Sequence, residues 1–162
     1  MTRNEQKAMT VCFTGHRIIP ARDETRLKQT LYDVVESFVL SGIKYFVCGG
    51  ALGFDMMAGF TVLELKKKYR EIQLVMVLPC KSQAAKWSDA QKRDYNILLE
   101  AAKDKTVYVS EEYTRDCMFR RNRYMVDASS TCIAYCNRNS GGTAYTVNYA
   151  KKNGLKVILI DN

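Results

Sequence analysis

Apolar residues come in short, nearly unbroken bursts, separated by longer stretches where they recur every three or four positions. This alternation predicts strands interleaved with amphipathic helices. Met9 to Phe13 is the first burst, running up to Gly15. Leu27, Leu31, Val34, Phe38 and Val39 then repeat at helical spacing across 23–40, and Ser41-Gly42 supplies a stop. A second burst, Tyr45 to Cys48, closes on Gly49-Gly50-Ala51-Leu52-Gly53, after which helical spacing resumes through Phe54, Ala58, Val62, Leu65 and Tyr69. The third strand, 72–78, is halted by Pro79, and a largely polar helix is expected over 82–103, anchored by Trp87, Tyr95, Leu98 and Leu99. A fourth strand at 106–109, a helix over 116–128 and a fifth strand at 131–136 follow. Ser140-Gly141-Gly142-Thr143 opens a last helix to Lys152, Asn153-Gly154 ends it, and 157–160 is a sixth strand.

Strands that are apolar throughout and alternate with helices belong to parallel sheets covered on both faces. The expected fold is therefore α/β and Rossmann-like: a mainly parallel sheet of about six strands with helices on both faces. No internal repeat or change of composition marks a second domain, so 162 residues read as one domain over 9–162 behind a polar N-terminal extension, 1–8. No apolar run approaches the ~20 residues needed to cross a bilayer. The N-terminus has no apolar core before a small-residue cleavage site, so no membrane association is expected and the reading is cytoplasmic.

Composition adds two constraints. The six cysteines contain no CxxC pair, and Cys12, Cys48, Cys132 and Cys136 fall in strand-like runs, which favours reduced core thiols over a disulfide framework. Cys132, Cys136 and the lone His16 match no familiar zinc spacing, so no metal is expected and no cofactor is required. With 25 Lys and Arg against 17 Asp and Glu, the formal charge is +8, which suits anionic partners. The run Lys66-Lys67-Lys68 reads as a solvated helix end rather than a binding site.

The candidate chemistry lies where strands give way to helices, since ligands of open parallel sheets collect beyond the carboxyl ends of the strands. Three turns qualify: Thr14-Gly15-His16-Arg17, Gly49-Gly50-Ala51-Leu52-Gly53 and Ser140-Gly141-Gly142-Thr143. Missing side chains let a phosphate approach the backbone, and the free N–H groups and partial positive charge of a helix N-terminus stabilise its oxygens. In Phe119-Arg120-Arg121-Asn122-Arg123-Tyr124-Met125, the spacing keeps the arginines off a single face, which leaves two readings: at least one of them reaches the ligand edge, or the run is a solvated basic face. His16 is open to three readings: phosphate contact, acid-base work, or a turn residue bonding the backbone. Asp55, in a first helical turn, is either a ribose ligand or base, or a carboxylate helped by the helix dipole.

The motifs Phe13-Thr14-Gly15-His16-Arg17, Gly49 to Asp55, Arg121-Asn122-Arg123 and Ser140-Gly141-Gly142-Thr143-Ala144 occur in the order seen in the SLOG superfamily, and nearly the whole chain resembles its YpsA-like branch. It is also similar to the Rossmann-like core of the DNA-processing protein A family. The resemblance implies a site for a nucleotide or nucleotide derivative, with the Ser140–Thr143 turn as phosphate cradle, and a homodimer as in relatives. The LOG phosphoribohydrolases, a further branch, carry a catalytic glutamate soon after the equivalent turn. Arg121 and Met125 fit the preceding LOG motif, but Thr143 is followed by Ala144, Tyr145 and Thr146, so Asp55 would have to substitute.

These readings imply a phosphate-binding set of Thr14, Gly15, His16, Arg17, Gly49, Gly50, Gly53, Asp55, Arg121, Asn122, Ser140, Gly141, Gly142 and Thr143. The catalytic candidates are His16, Asp55 and Arg121. The leading expectation is binding or sensing of a nucleotide or its derivative. The alternatives are an N-glycosidic hydrolase acting on a nucleotide and a single-stranded nucleic-acid-binding protein.

Overall fold

The computed structural model describes residues 1–160, so the last two residues of the expected domain, Asp161 and Asn162, lie outside the described residues. The chain runs α1 (Arg3–Ala8), β1 (Thr10–Gly15), α2 (Glu24–Leu40), β2 (Tyr45–Cys48), α3 (Phe54–Lys68), β3 (Gln73–Leu78), α4 (Asp89–Ala101), β4 (Thr106–Tyr108), α5 (Cys117–Asp127), β5 (Thr131–Tyr135), α6 (Gly142–Lys152) and β6 (Lys156–Leu159). The six strands form one sheet in the order β4-β3-β2-β1-β5-β6, and every neighbouring pair is parallel. This is the expected α/β, Rossmann-like architecture.

Alternating strand residues divide the core. Val11, Phe13, Phe46, Cys48, Met76, Leu78, Ile133 and Tyr135 pack under α2, α3 and α4, joined by Leu31, Phe54, Val62 and Leu98. Cys12, Val47, Val77, Cys132 and Ala134 face the other way, onto Met125 and Val126 of α5 and Val147 and Ala150 of α6. From β1 the chain steps outward to β4 under one helical layer, then returns through α5 to lay β5 against the other side of β1. The strand order reverses between β1 and β5, which leaves a crevice at their carboxyl ends.

Several boundaries differ from expectation. Residues 81–88 form turns, and α4 starts only after Ser88, whose hydroxyl accepts from Gln91 N–H while Gln91 returns a bond to Ser88 N–H. This capping box outweighs the apolar spacing that drew Trp87 into the helix. Trp87 instead packs edge-on to Tyr95, with ring centroids 5.1 Å apart. The first strand extends two residues past Phe13, so Thr14 and Gly15 pair with Ala134 and Tyr135 rather than forming a turn. Residues 3–8 of the expected extension form α1, capped by Thr2 and Glu5, with no buried residue. No helix among the described residues is long and apolar enough to cross a membrane.

Candidate functional site

A cleft of about 510 Å³ opens at the β1/β5 crevice. Its walls come from four places in the sequence. Phe13 to Ile18 end β1 and leave it, Met118, Phe119, Arg121, Asn122 and Met125 lie along α5, and Tyr135, Asn137, Arg138 and Ser140 to Thr143 run from the end of β5 into α6. Asp55 and Ala51 contribute from the β2–α3 connection. Of the expected residues, Thr14, Gly15, His16, Arg17, Asp55, Arg121, Asn122, Ser140, Gly141, Gly142 and Thr143 all line this one space.

Gly49, Gly50 and Gly53 do not line it. A Cβ on Gly50 would stand 2.8 Å from Met76 Cε and 3.0 Å from a Leu78 methyl, so this glycine presses its backbone onto the core. At Gly53 (φ +81°) a Cβ would come within 2.3 Å of the Arg17 carbonyl oxygen, and Phe54 N–H donates to the His16 carbonyl at 3.1 Å. The second glycine turn thus lets the β1 exit loop cross the start of α3. It shapes the cleft from behind, and of its five residues Ala51 reaches the cleft lining. Gly15 does line the cleft, but its missing Cβ also admits the Phe54 ring, 2.4 Å from where that carbon would be.

Among the described residues, the start of α6 is the one glycine-led helix end that faces the cleft. Gly141, at φ +97°, holds a conformation that disfavours any side chain, and the helix has no side-chain cap. Its first N–H groups therefore lack the partner that a serine or threonine cap would supply. A Cβ on Gly141 or Gly142 would meet nothing within 4 Å, so open space lies over these amides. Arg17 and Arg138, both exposed, line the same cleft. Arg138 was missed from the sequence, although its position two residues before Ser140 puts it at the same sheet edge.

His16 is committed to the backbone. Its Nε2 accepts the Asn137 N–H at 3.0 Å, and its ring lies edge-on to Tyr135 with centroids 5.5 Å apart. Partial burial and the nearby Arg138 charge lower its pKa, and the N–H donated by Asn137 fills the lone pair that a proton would take. The bond occupies the basic nitrogen and ties the β1 exit to the loop that precedes α6. His16→Ala should accelerate hydrogen exchange at the Asn137 amide at least several-fold while shifting global stability by no more than about 1 kcal/mol. Unchanged exchange at that amide would remove this tie.

The floor of the cleft holds two buried charges. Arg121, 4% exposed, donates from Nη1 to the Gly49 carbonyl at 2.6 Å and from Nε to Asn122 Oδ1 at 2.7 Å. Asp55, 5% exposed, accepts the Ala51 N–H through Oδ2 at 3.2 Å. They make no direct ion pair, but a Cβ on Gly49 would lie 2.8 Å from Arg121 Nη1 and 2.9 Å from Asp55 Oδ2. The two groups are therefore less than about 6 Å apart, close enough to shift each other's ionisation. Burial dominates: it pushes Asp55 up to about 6, against the opposing pull of Arg121, the Ala51 N–H and Arg17. A cleft carboxyl titrating near neutrality can accept a ligand hydroxyl or exchange a proton. The other arginines point elsewhere, Arg120 to the Val109 carbonyl and Arg123 to the Tyr145 hydroxyl. Among the described residues, no group of three His, Cys, Asp or Glu side chains is placed to hold a metal ion.

A family model described as the YspA SLOG family (YpsA) matches residues 20–160, beginning within the connection from β1 to α2. The SPbeta prophage-derived protein YoqJ of Bacillus subtilis strain 168, described as uncharacterized, is 36% identical over 140 residues, covering 78% of this chain and 81% of its own. A UPF0398 protein of Halalkalibacterium halodurans is 27% identical over 133 residues, covering 81% and 70%. Two DNA processing protein A structures share the fold. The Helicobacter pylori protein, solved for its single-stranded DNA binding mode, has TM-score 0.69 at 18% identity, and the match covers 97% of this chain and 66% of that one. For the Streptococcus pneumoniae protein the TM-score is 0.68 at 16% identity, covering 97% and 52%.

Proposed function

The chain belongs to the YspA SLOG family, and from that premise we propose that its β1/β5 cleft binds a nucleotide or nucleotide derivative, as a sensor or binding module. The observation that carries this reading is the uncapped N-terminus of α6, open at Gly141 and Gly142 and sharing its cleft with Arg17 and Arg138. A phosphate there gains the free amides, the helix dipole and guanidinium forks. The cleft volume, about 510 Å³, falls within the range of small-molecule sites. Asp55 sets the ligand's direction. Its carboxylate repels phosphate, so the phosphate goes to α6 and the hydroxyl-bearing part to the floor.

Thermal-shift titration with mononucleotides, dinucleotides and ADP-ribose tests the proposal. Gly142→Asp puts a carboxylate over the seat, at a position where a first-turn acid favours the helix. The variant should fold as well as the parent and bind at least tenfold more weakly. Absence of a shift with every compound, or full binding by Gly142→Asp, would reject the reading.

A second reading, single-stranded DNA binding, draws on the Helicobacter pylori protein of the same fold and on the +8 charge. It predicts retardation of single-stranded DNA that weakens steeply with salt. No retardation at low salt would remove it. The hydrolase reading draws on Asp55, whose pKa of about 6 suits a general acid. It requires release of free base from a nucleotide, and intact nucleotides after incubation would end it.

A further inference from the structure

We propose that Asp55 Oδ1 accepts a ribose hydroxyl of the ligand, so that the cleft selects a ribonucleotide and refuses a DNA strand. This rests on the phosphate site proposed above. Asp55 is 5% exposed and lines the cleft. Its Oδ2 is taken by the Ala51 N–H, whereas Oδ1 has no hydrogen-bond partner among the described residues. No enclosed side-chain nitrogen or oxygen among those residues lacks a partner, so Oδ1 is not sealed in and opens onto the cleft that Asp55 lines. A carboxylate oxygen surrounded by protein and open only to a ligand space is an acceptor awaiting a donor.

The rest of the lining decides which donor it receives. Phe13, Met125 and Tyr135 line the cleft but are 0–1% exposed, so they give a base ring almost nothing to stack on. Open apolar lining is found instead at Ile18 and Phe119, 83% and 40% exposed. Phosphate is repelled by the carboxylate. The sugar is the part of a nucleotide left for the floor, and its hydroxyls both donate and accept. Arg121 supplies the complementary donor, since the only partner of its Nη2 is the weakly accepting Met118 sulfur at 3.7 Å. An internal residue of a DNA strand has no 2′ hydroxyl and an esterified 3′ oxygen, so it would cover Oδ1 without pairing it.

Ionisation supplies a readout that shape alone would not move. The charged and titratable groups facing Asp55 are Arg121 of α5, Arg17 of the β1 exit and the thiols of Cys48 and Cys132. Burial raises the Cys48 pKa, and the Cys12 thiol together with burial raises that of Cys132, so both stay neutral. Asp55 is then the group that changes charge near pH 6, and its ionised form bonds a hydroxyl about twice as strongly as the neutral one. The preference for a hydroxyl-bearing sugar should therefore be larger at pH 8 than at pH 5. Taken as a ratio of two affinities, it is free of the titrations of phosphate and His16, which both ligands share.

Calorimetric titration at both pH values with AMP, GMP, CMP and UMP, with their 2′,3′-dideoxy forms and with the oligomers (A)10 and (dA)10 tests this. The mononucleotide that binds should lose roughly 10- to 100-fold in affinity as its dideoxy form. Its 2′-deoxy and 3′-deoxy forms then identify the hydroxyl, and comparison with (A)10 separates a free nucleotide from an RNA strand. In Asp55→Asn the amide oxygen can keep the Ala51 N–H, which turns the NH2 group to the cleft and leaves no acceptor there. That variant should bring the two affinities within about threefold, whereas Gly142→Asp should weaken both forms alike. The proposal fails, with the phosphate site intact, if ribo and dideoxy forms bind equally while Gly142→Asp weakens both. It fails too if the preference survives in Asp55→Asn, is the same at pH 5 and pH 8, or if (dA)10 binds as tightly as the mononucleotide. If no mononucleotide binds at all, the phosphate site falls as well.

Discussion

Replacing Arg121 with methionine should destabilise the protein by about 3–5 kcal/mol at pH 8. The substitution keeps a long, unbranched, apolar stem and removes only the guanidinium. What remains is Asp55, buried and without the cation that does most to lower its pKa, so that it must either ionise unpaired or take up a proton at that pH. The Gly49 carbonyl loses its 2.6 Å donor and keeps only Gln83 Nε2 at 3.3 Å. Because the largest part of the loss is an uncompensated carboxylate, it should shrink at pH 5, where Asp55 is mostly protonated. It should shrink as well in an Asp55→Asn background, giving a coupling of about 1–3 kcal/mol in the double-mutant cycle. Urea unfolding of the four proteins at both pH values measures this. A single variant within about 1 kcal/mol of the parent at pH 8 would mean that Arg121 is not the charge that makes Asp55 tolerable.

Arg121 also illustrates what was legible in the sequence. Spacing alone shows that Arg120, Arg121 and Arg123 diverge around a helix, but not which of them turns inward. The missing clue was its register: Arg121 lies four residues after Cys117 and four before Met125, both buried, so it sits on the apolar stripe of α5. The strand and helix order was readable because parallel strands buried on both faces write themselves as apolar runs. The three glycine turns were harder. Glycine serves a phosphate approaching the backbone and a side chain packing on it equally well. Nothing in Gly49-Gly50-Ala51-Leu52-Gly53 says that Gly50 turns toward Met76 and Leu78 while Gly142 turns toward open space. Only the reversal of strand order decides it. The β1 and β5 exits flank the crevice, while the β2 exit lies one strand away and supports it from behind.

Asp55 itself should behave as a group held at the expense of the fold. Its pKa rises from 3.8 to about 6 on folding. The raised value means that the stability contributed by the protonated form is complete below pH 3.8, is lost as pH rises to about 6, and stays lost above. The gap corresponds to roughly 3 kcal/mol. Asparagine keeps the shape and an oxygen for the Ala51 N–H, and it cannot ionise. Asp55→Asn should therefore match the parent near pH 4 and exceed it by up to roughly 3 kcal/mol above pH 7, or about 6–12 °C in Tm for a chain of this size. His16 works in the opposite sense. Its lowered pKa makes the folded state lose stability as pH falls below 6.5. The quantity to follow is thus the difference between variant and parent across pH 4–8, in which the His16 contribution cancels. A difference that is flat with pH, or a variant less stable at pH 8, would show that the carboxylate is accommodated by its surroundings after all. If the difference rises as expected while the variant binds nucleotide more weakly, the stability given up at Asp55 is what holds an acceptor ready for the ligand's hydroxyls.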